Sequence, residues 1–516
     1  MSHLARLPRR RLAVAVALSL CAFAPALDAS AAETSVAVVS LQPGASLGHV
    51  VGVEVLRTHD AVGVVVVEAT ERGLAALAAS PAVRSMSPDV PVLLTGKDDS
   101  TAAGVYASTQ VGPGGGVADA GRGVTVALVD TGVTDTPTLS RRSGRLIDGV
   151  DTSGEKTLTD GYGHGTAMAN LIAGGSRDGM SPAVGVAPAA TILSVKVAGA
   201  DGTTSLSKVV AGLDYVVSSK IAHSTDVLSL SLSTTVDGAK YIATPLTDAV
   251  DRVREAGIVV VAAAGNDSSK VGAPAYDPTI IAVGAADTTE PAATVAPFSG
   301  SAVVAGIPRP DFVAPGVGVV TVLPGGSKLA REHAGATRVD GFWRSSGTSQ
   351  ATAVTAGAAA ITLQRFPSAS VHDVRFSLMS AAIPLEGNAS GAGWMRLPVK
   401  LVTGTEYADG WRQVNDDGTM VYRPWTSSSW SSSSWSSSSW SSSSWSSSSW
   451  SSSSWSSSSW SSSSWSSSSW SSSSWSSSSW SASSSWSSSS WSSSSWSSSS
   501  WSASSSWSSS SWSWIK

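Results

Sequence analysis

Val124-Thr125-Val126-Ala127-Leu128-Val129-Asp130-Thr131-Gly132 decides how this chain is read. An unbroken apolar and β-branched run of this length suits a strand covered on both faces, and the closing Asp-Thr-Gly turns the chain out with a carboxylate at the strand's tip. Comparable runs at 124–129, 192–197, 227–232, 258–264 and 280–284 alternate with segments of helix length, among them Leu206–Ser218 and Thr244–Ala256. That alternation is the pattern of βαβ units, so the expected fold is α/β: a parallel sheet with helices on both faces.

Asp130 is followed by His164 in Gly163-His164-Gly165-Thr166 and by Ser349 in Gly347-Thr348-Ser349-Gln350-Ala351. A serine hydroxyl is a poor nucleophile near neutral pH and needs a base within about 2.6–3.2 Å. Histidine, with an ordinary pKa near ~6.5, can take that proton and return it to a leaving amine. A carboxylate on the other ring nitrogen fixes the tautomer and stabilises the imidazolium. Ser349, His164 and Asp130 are thus candidates for nucleophile, base and orienter. The segment 347–365 is rich in Ala, Thr and Gly, as expected of a tightly packed helix with Ser349 at its N-terminal end, where free N–H groups favour an anion. Taken singly, each block has a blander reading: a strand-to-turn exit, a turn and a helix cap. An aspartic-protease reading of Asp-Thr-Gly needs a second such motif, and the sequence has none.

A fourth block, Ile258-Val-Val-Val-Ala-Ala-Ala264-Gly265-Asn266, ends an apolar run with a side-chain amide. With these four blocks in this order the chain resembles a subtilisin-like serine protease, a subtilase, over roughly residues 105–400. The resemblance implies that Asn266 donates to the oxyanion together with the backbone N–H of Ser349. It also implies that Val195–Gly202, with Gly199 and Gly202, forms one peptide-binding edge, and that Leu228–Ser233, with Ser231, Leu232 and Ser233, lines the other. A polypeptide substrate would then bind by strand addition. Ala264 and Gly265 would flank the bound peptide, and Gly272, before the cis proline expected at Pro274, would floor an S1 pocket with room for a sizeable apolar side chain. Phe298-Ser299 and Phe312–Gly316 are further landmarks.

The sequence departs from the family at Ala167-Met168-Ala169-Asn170 and at Ala353-Val354-Thr355, positions that carry no proton-transfer group. Where the family's strong calcium site has an aspartate this chain has Thr138, and the loop 175–182 lacks the usual asparagine, so no metal and no cofactor are assigned.

Around this body the composition changes. Net charge is −4 over 516 residues with 42% hydrophobic residues, enough for a large core, and no basic block beyond the first dozen residues points to nucleic acid. Residues 1–32 read as a signal peptide: Arg6, Arg9, Arg10 and Arg11 precede apolar Leu12–Ala24, and small residues lie at 29–31. The run is short for a membrane span, and both the general secretory and twin-arginine routes stay open. Cys21, a weak lipidation candidate, is the only cysteine, so the exported chain has no disulfide. Residues 33–104, with strands at 36–41, 50–56 and 62–69 and a helix at 71–78, resemble a shortened pro-domain that would act in cis as an inhibitor. An ordinary N-terminal subdomain is the alternative. The maturation cut is expected between Lys97 and Ser108, the catalytic domain at 105–403 and a linker at 404–424.

From Trp425 to Trp514 the chain is nearly all serine with tryptophan at every fifth residue, apart from six-residue steps to Trp486 and Trp507 and a two-residue step to Trp514. A period of five lines no helix face and alternates faces of a strand, so no packed core follows and disorder is expected. Spaced tryptophans can still stack on sugars, which makes a cell-surface glycan a candidate partner. The expectation is a secreted or surface-associated monomeric serine endopeptidase. The competing reading is a surface binding protein whose protease fold only carries the tail.

Overall fold

The computed structural model describes residues 33–94, 104–177, 179, 182–234, 244–290, 292–304, 307–337, 342–386, 388–407, 410–414, 420–424 and extended segments between 429 and 514. The expected signal peptide and the first part of the expected maturation stretch, Lys97–Ala103, lie outside the described residues.

The central sheet runs, strand by strand, Thr294–Val295, Ile281–Asp287, Val259–Ala263, Thr225–Leu230, Thr125–Asp130, Thr191–Lys196 and Leu146–Asp151, with Phe312–Pro315 also paired to Ile281–Asp287. Every pairing is parallel except that of the short Thr294–Val295 strand. From Thr125–Asp130 the chain builds the sheet first to one side, then returns to build the other. The strand order therefore reverses at the carboxyl end of the Asp130 strand, the place where open α/β sheets put their ligands.

Alternation along that strand serves both faces. Val126 and Leu128 join the core under the helices His164–Ala173 and Thr348–Arg365. Ala127 and Val129 join the opposite core, under Leu206–Ser218 and Pro245–Glu255. The expected two-faced parallel sheet is what the chain forms. Helix Thr348–Arg365 is buried from Thr348 to Thr362, and its small residues let it sink into the body.

The N-terminal unit is a four-stranded antiparallel sheet in the order Val53–His59, Val64–Thr70, Thr34–Leu41, Val83–Pro88. The second strand begins later than the sequence suggests because Gly52, at φ 79°, makes the turn that precedes it. One sheet face, with Val39, Val65 and Val67, packs on Leu77 of the helix Glu71–Ala78. The other, with Val38, Val64 and Val66, joins the core of the larger body. Polar contacts rim this joint: Arg84 Nε meets Asp248 at 2.9 Å, Ala61 N–H donates to Asp214 at 2.8 Å, and Asp89 accepts from Ser207 N–H at 2.8 Å.

The next strand, Pro91–Leu94, leaves this unit and lies between two edges of the body. It pairs antiparallel with Leu232–Ser233 on one side and with Thr204–Ser205 on the other.

Past the body, the stretch expected as a linker forms an antiparallel meander, Thr403–Tyr407, Gly410–Val414 and Met420–Pro424. Its Thr, Val, Tyr and Trp content and the Asp-Gly pairs at 409–410 and 417–418 are hairpin signals. In the tail, Ser429–Ser493 is one extended run, and later pieces lie parallel to it with Trp475 opposite Trp496 and Trp480 opposite Trp501. At about 3.3 Å per residue such a run adds no globular layer.

Candidate active site

Asp130 stands at the end of the central strand and His164 opens the helix His164–Ala173. The two meet: His164 Nδ1 lies 2.8 Å from Asp130 Oδ1 and 2.9 Å from Oδ2. They are 3% and 1% exposed, so the pair is screened little by water. Burial alone would lower the His164 pKa. The charge and hydrogen bond of Asp130, with the charge of Asp160 added, outweigh that and hold it above the ordinary value of 6.5.

The Gly-His-Gly pattern has a steric cause. A Cβ on Gly165 would lie 2.2 Å from the carbonyl oxygen of Gly132, so only glycine lets the helix approach the Asp-Thr-Gly turn this closely.

Asp160 was not singled out by sequence reasoning. It is buried, and its carboxylate accepts from Gly163 N–H at 2.6 Å, Thr166 N–H at 2.8 Å, Thr166 Oγ1 at 2.7 Å and Thr131 Oγ1 at 2.8 Å. Thr131 Oγ1 in turn accepts from Gly165 N–H at 2.8 Å. Asp160 thus clamps the first turn of the His164 helix to the residue after Asp130. Burial pushes its own pKa up, against these hydrogen bonds. The signal that could have found it is an acid four residues before the histidine, placed to cap the helix.

Ser349 is buried at the N-terminal end of the helix Thr348–Arg365, which packs against the His164 helix. Its hydroxyl donates to the carbonyl of Ser231 at 3.2 Å, while His164 Nε2 has no hydrogen-bond partner. The structure therefore joins Asp130 to His164 by a hydrogen bond and sets Ser349 at the start of the helix packed against that of His164, without a hydrogen bond to the imidazole. Catalytic hydrogen bonds of this kind commonly close only on substrate binding.

Asn266 follows the strand Val259–Ala263. Its Oδ1 accepts from Thr348 N–H at 2.9 Å and Thr348 Oγ1 at 3.0 Å. With the oxygen tied down by donors, Nδ2 is fixed as the donating end of the amide, one residue from Ser349.

The strand edges beside these residues lie in part elsewhere than expected. Leu232 and Ser233 do pair with an extended segment, Leu94 and Leu93 of the same chain. On the other side the paired residues are Thr204 and Ser205. Gly199 and Gly202 instead close the preceding turn, Gly202 N–H donating to Gly199 O at 2.9 Å. The glycines mark the turn, and the hydrogen-bonding edge begins only after the chain has reversed. Ala264 and Gly265 are buried beside Asn266, and Gly272 N–H donates to Ala264 O at 3.4 Å. The Ala273–Pro274 bond is cis.

The residues at the expected calcium position do not suit a cation. Thr138 Oγ1 bonds to Asn170 Oδ1. The Arg145 guanidinium donates to the carbonyls of Ala173 and Pro188, both at 2.6 Å, and of Thr138 at 3.0 Å. Carbonyls that could face a metal ion already face a positive charge. No cluster of three or more acidic, His or Cys side chains able to hold a metal occurs among the described residues.

Comparison with known proteins agrees with this architecture. Residues 121–411 match the model of the subtilase family, Peptidase_S8. Serine protease AprX of Bacillus subtilis is 34% identical over 49% of this chain and 60% of its own length. Alkaline elastase YaB of a Bacillus strain is 34% identical over 53% of this chain and 62% of its own. The chain thus spans about three fifths of these two relatives. Subtilisin DY of Bacillus licheniformis is 33% identical over 51% of this chain and 85% of its own length. Fervidolysin from Fervidobacterium pennivorans, described as a keratinolytic enzyme related to subtilisin, shares the fold with a TM-score of 0.55 at 22% identity, over 77% of this chain and 68% of its own.

Proposed function

This chain belongs to the subtilase family, and from that premise we propose that it is an exported serine endopeptidase that cleaves polypeptides through an acyl-enzyme. The observation that carries the reading is the buried Asp130–His164 contact at 2.8 Å, set beside Ser349 at a helix N-terminus. Ser349 Oγ attacks the carbonyl, His164 Nε2 takes the hydroxyl proton and later gives it to the leaving amine, and Asp130 holds the imidazole through Nδ1. Asn266 Nδ2 and the Ser349 backbone N–H receive the oxyanion. The substrate lies where Pro91–Leu94 now lies, as a strand between Thr204–Ser205 and Leu232–Ser233.

In this reading residues 33–94 are a pro-domain acting in cis, and the strand Pro91–Leu94 blocks the cleft until the chain is cut after it. The Arg145 guanidinium supports activity without calcium at the family's site. The tryptophan repeat is proposed to hold the enzyme at a surface glycan. An isolated tail enriched on cell-wall polymer no better than its Trp→Ser version would refute that role.

Casein hydrolysis by the purified, matured protein tests the main proposal. Turnover that a serine-directed phosphonylating reagent abolishes, and that Ser349→Ala lacks, is expected. Equal turnover by the two proteins would overturn it. Turnover by neither would favour the binding-protein reading.

A further inference from the structure

The floor of the cleft next to the nucleophile is not the open slot that Gly272 suggests from sequence. In the endopeptidase reading, and as the subtilase resemblance implies, the residue whose carbonyl is attacked lies beside Ser231, whose own carbonyl accepts from Ser349 Oγ, and its side chain enters between Leu232–Ser233 and Ala264–Gly265. Two glycines, Gly265 and Gly272, bring no side chain there, and the first atom a Cβ on either would meet is Ser233 Oγ. A Cβ on Gly272 would lie 2.0 Å from Ser233 Oγ and 2.2 Å from Thr234 O, and one on Gly265 would lie 3.8 Å from the same hydroxyl.

The hydroxyl is also held in place. Ser233 is buried and its Oγ donates to Thr234 O at 3.2 Å, while Thr234 N–H donates to Ala273 O at 3.0 Å, fixing this wall against the segment that carries Gly272. A large side chain would have to displace a buried, hydrogen-bonded serine and leave polar groups unmatched, a cost that small side chains avoid.

We propose that Ser233 shortens this pocket, so that the enzyme selects small residues such as alanine, glycine or serine on the acyl side of the bond it cuts. This rests on the endopeptidase reading above and adds the substrate class to it. The strand already in the cleft is in keeping with it. Val92 is buried in the body, Leu93 faces solvent and Leu94 is half-buried, so alternate residues are read by side-chain pockets away from the nucleophile. The residues that follow them in sequence, Thr95 and Gly96, are both small.

The test uses the matured enzyme, its active-site concentration fixed by phosphonate titration, on chromogenic peptides that differ only in an acyl-side Ala, Leu or Phe. The wild type is expected to favour Ala over Phe in kcat/KM by at least about tenfold, and Ser233→Gly to raise the Phe/Ala ratio by at least about tenfold. Ser233→Ala, which keeps a smaller side chain in place, should fall between. Equal use of Phe and Ala by the wild type, or a ratio unmoved by Ser233→Gly, would overturn the inference while leaving the endopeptidase reading intact. A protein that cleaves none of the peptides and takes no phosphonate label would overturn both.

Discussion

The two walls of the cleft are built on opposite principles. One wall, to which the proposed mechanism gives the proton transfers, is made of side chains: Asp130, His164 and Asp160 are buried and tied by hydrogen bonds into the turn and helix that present them. The other, proposed to hold the substrate, is made of backbone: the edges Thr204–Ser205 and Leu232–Ser233, which pair with Pro91–Leu94. The first wall should tolerate almost no change in residue type. The second should change its preference before it loses its activity.

Removing a group on the proton-carrying side sharpens that contrast most. Asn266→Ala should lower kcat by about 100- to 1,000-fold with little change in KM, the magnitude known for this donor in subtilisin itself, because the amide acts only when charge develops. Steady-state kinetics at fixed pH checks this. A loss confined to KM would move Asn266 to the binding side.

Asp160→Asn should have the next largest effect. Four donors converge on a carboxylate, and an amide can accept at only one of its two ends, so the helix carrying His164 loses part of its clamp. A drop of about tenfold or more in kcat/KM is expected. The pH profile separates positioning from mere stability. His164 must be neutral to act as base, and the charges of Asp130 and, in smaller part, Asp160 hold its pKa above the ordinary histidine value, so the acidic limb of kcat/KM should lie above that of an ordinary imidazole in the wild type. Losing that anion should move the limb to lower pH, and a limb that stays in place would reduce Asp160 to a structural cap.

The smallest effect concerns the far end of the helix that His164 opens, where Arg145 donates to the carbonyl of Ala173. Arg145→Gln should destabilise the fold by about 1.5–3 kcal/mol, the usual worth of hydrogen bonds from a charged group, and leave the Phe/Ala preference unchanged. Thermal unfolding with and without chelator reads both points. A wild type that loses stability in chelator would contradict the assignment of this region to the guanidinium.

The same division explains what could be read before any coordinates. The Asp130 strand, the Leu206–Ser218 helix and the Ser349 helix were legible because buried parallel strands and amphipathic or small-residue helices leave periodic patterns, and the Asp130–His164 contact because a histidine base needs a carboxylate on its other nitrogen. The binding edge at Thr204–Ser205 was not, since a backbone edge is made by any residue that stays extended, and Gly199 and Gly202 drew attention to the turn before it. Asp160 was missed because a capping carboxylate is common, and only folding shows that it ties the first turn of the His164 helix to the residue after Asp130. The narrowing at Ser233 depends on a distance across the cleft to Gly272, which no local pattern encodes. The Trp-Ser tail has a perfectly legible period, yet that period matches neither helix nor strand packing and so specifies no core.

The most direct test of the central claim is the site and pH dependence of covalent labelling by a fluorophosphonate on the matured protein. Intact-mass and peptide analysis should find one label, on Ser349, at a rate that rises as pH passes through the His164 titration above 6.5 and that collapses in His164→Ala. A label on another residue, or a Ser349 rate indifferent to loss of His164, would contradict the account.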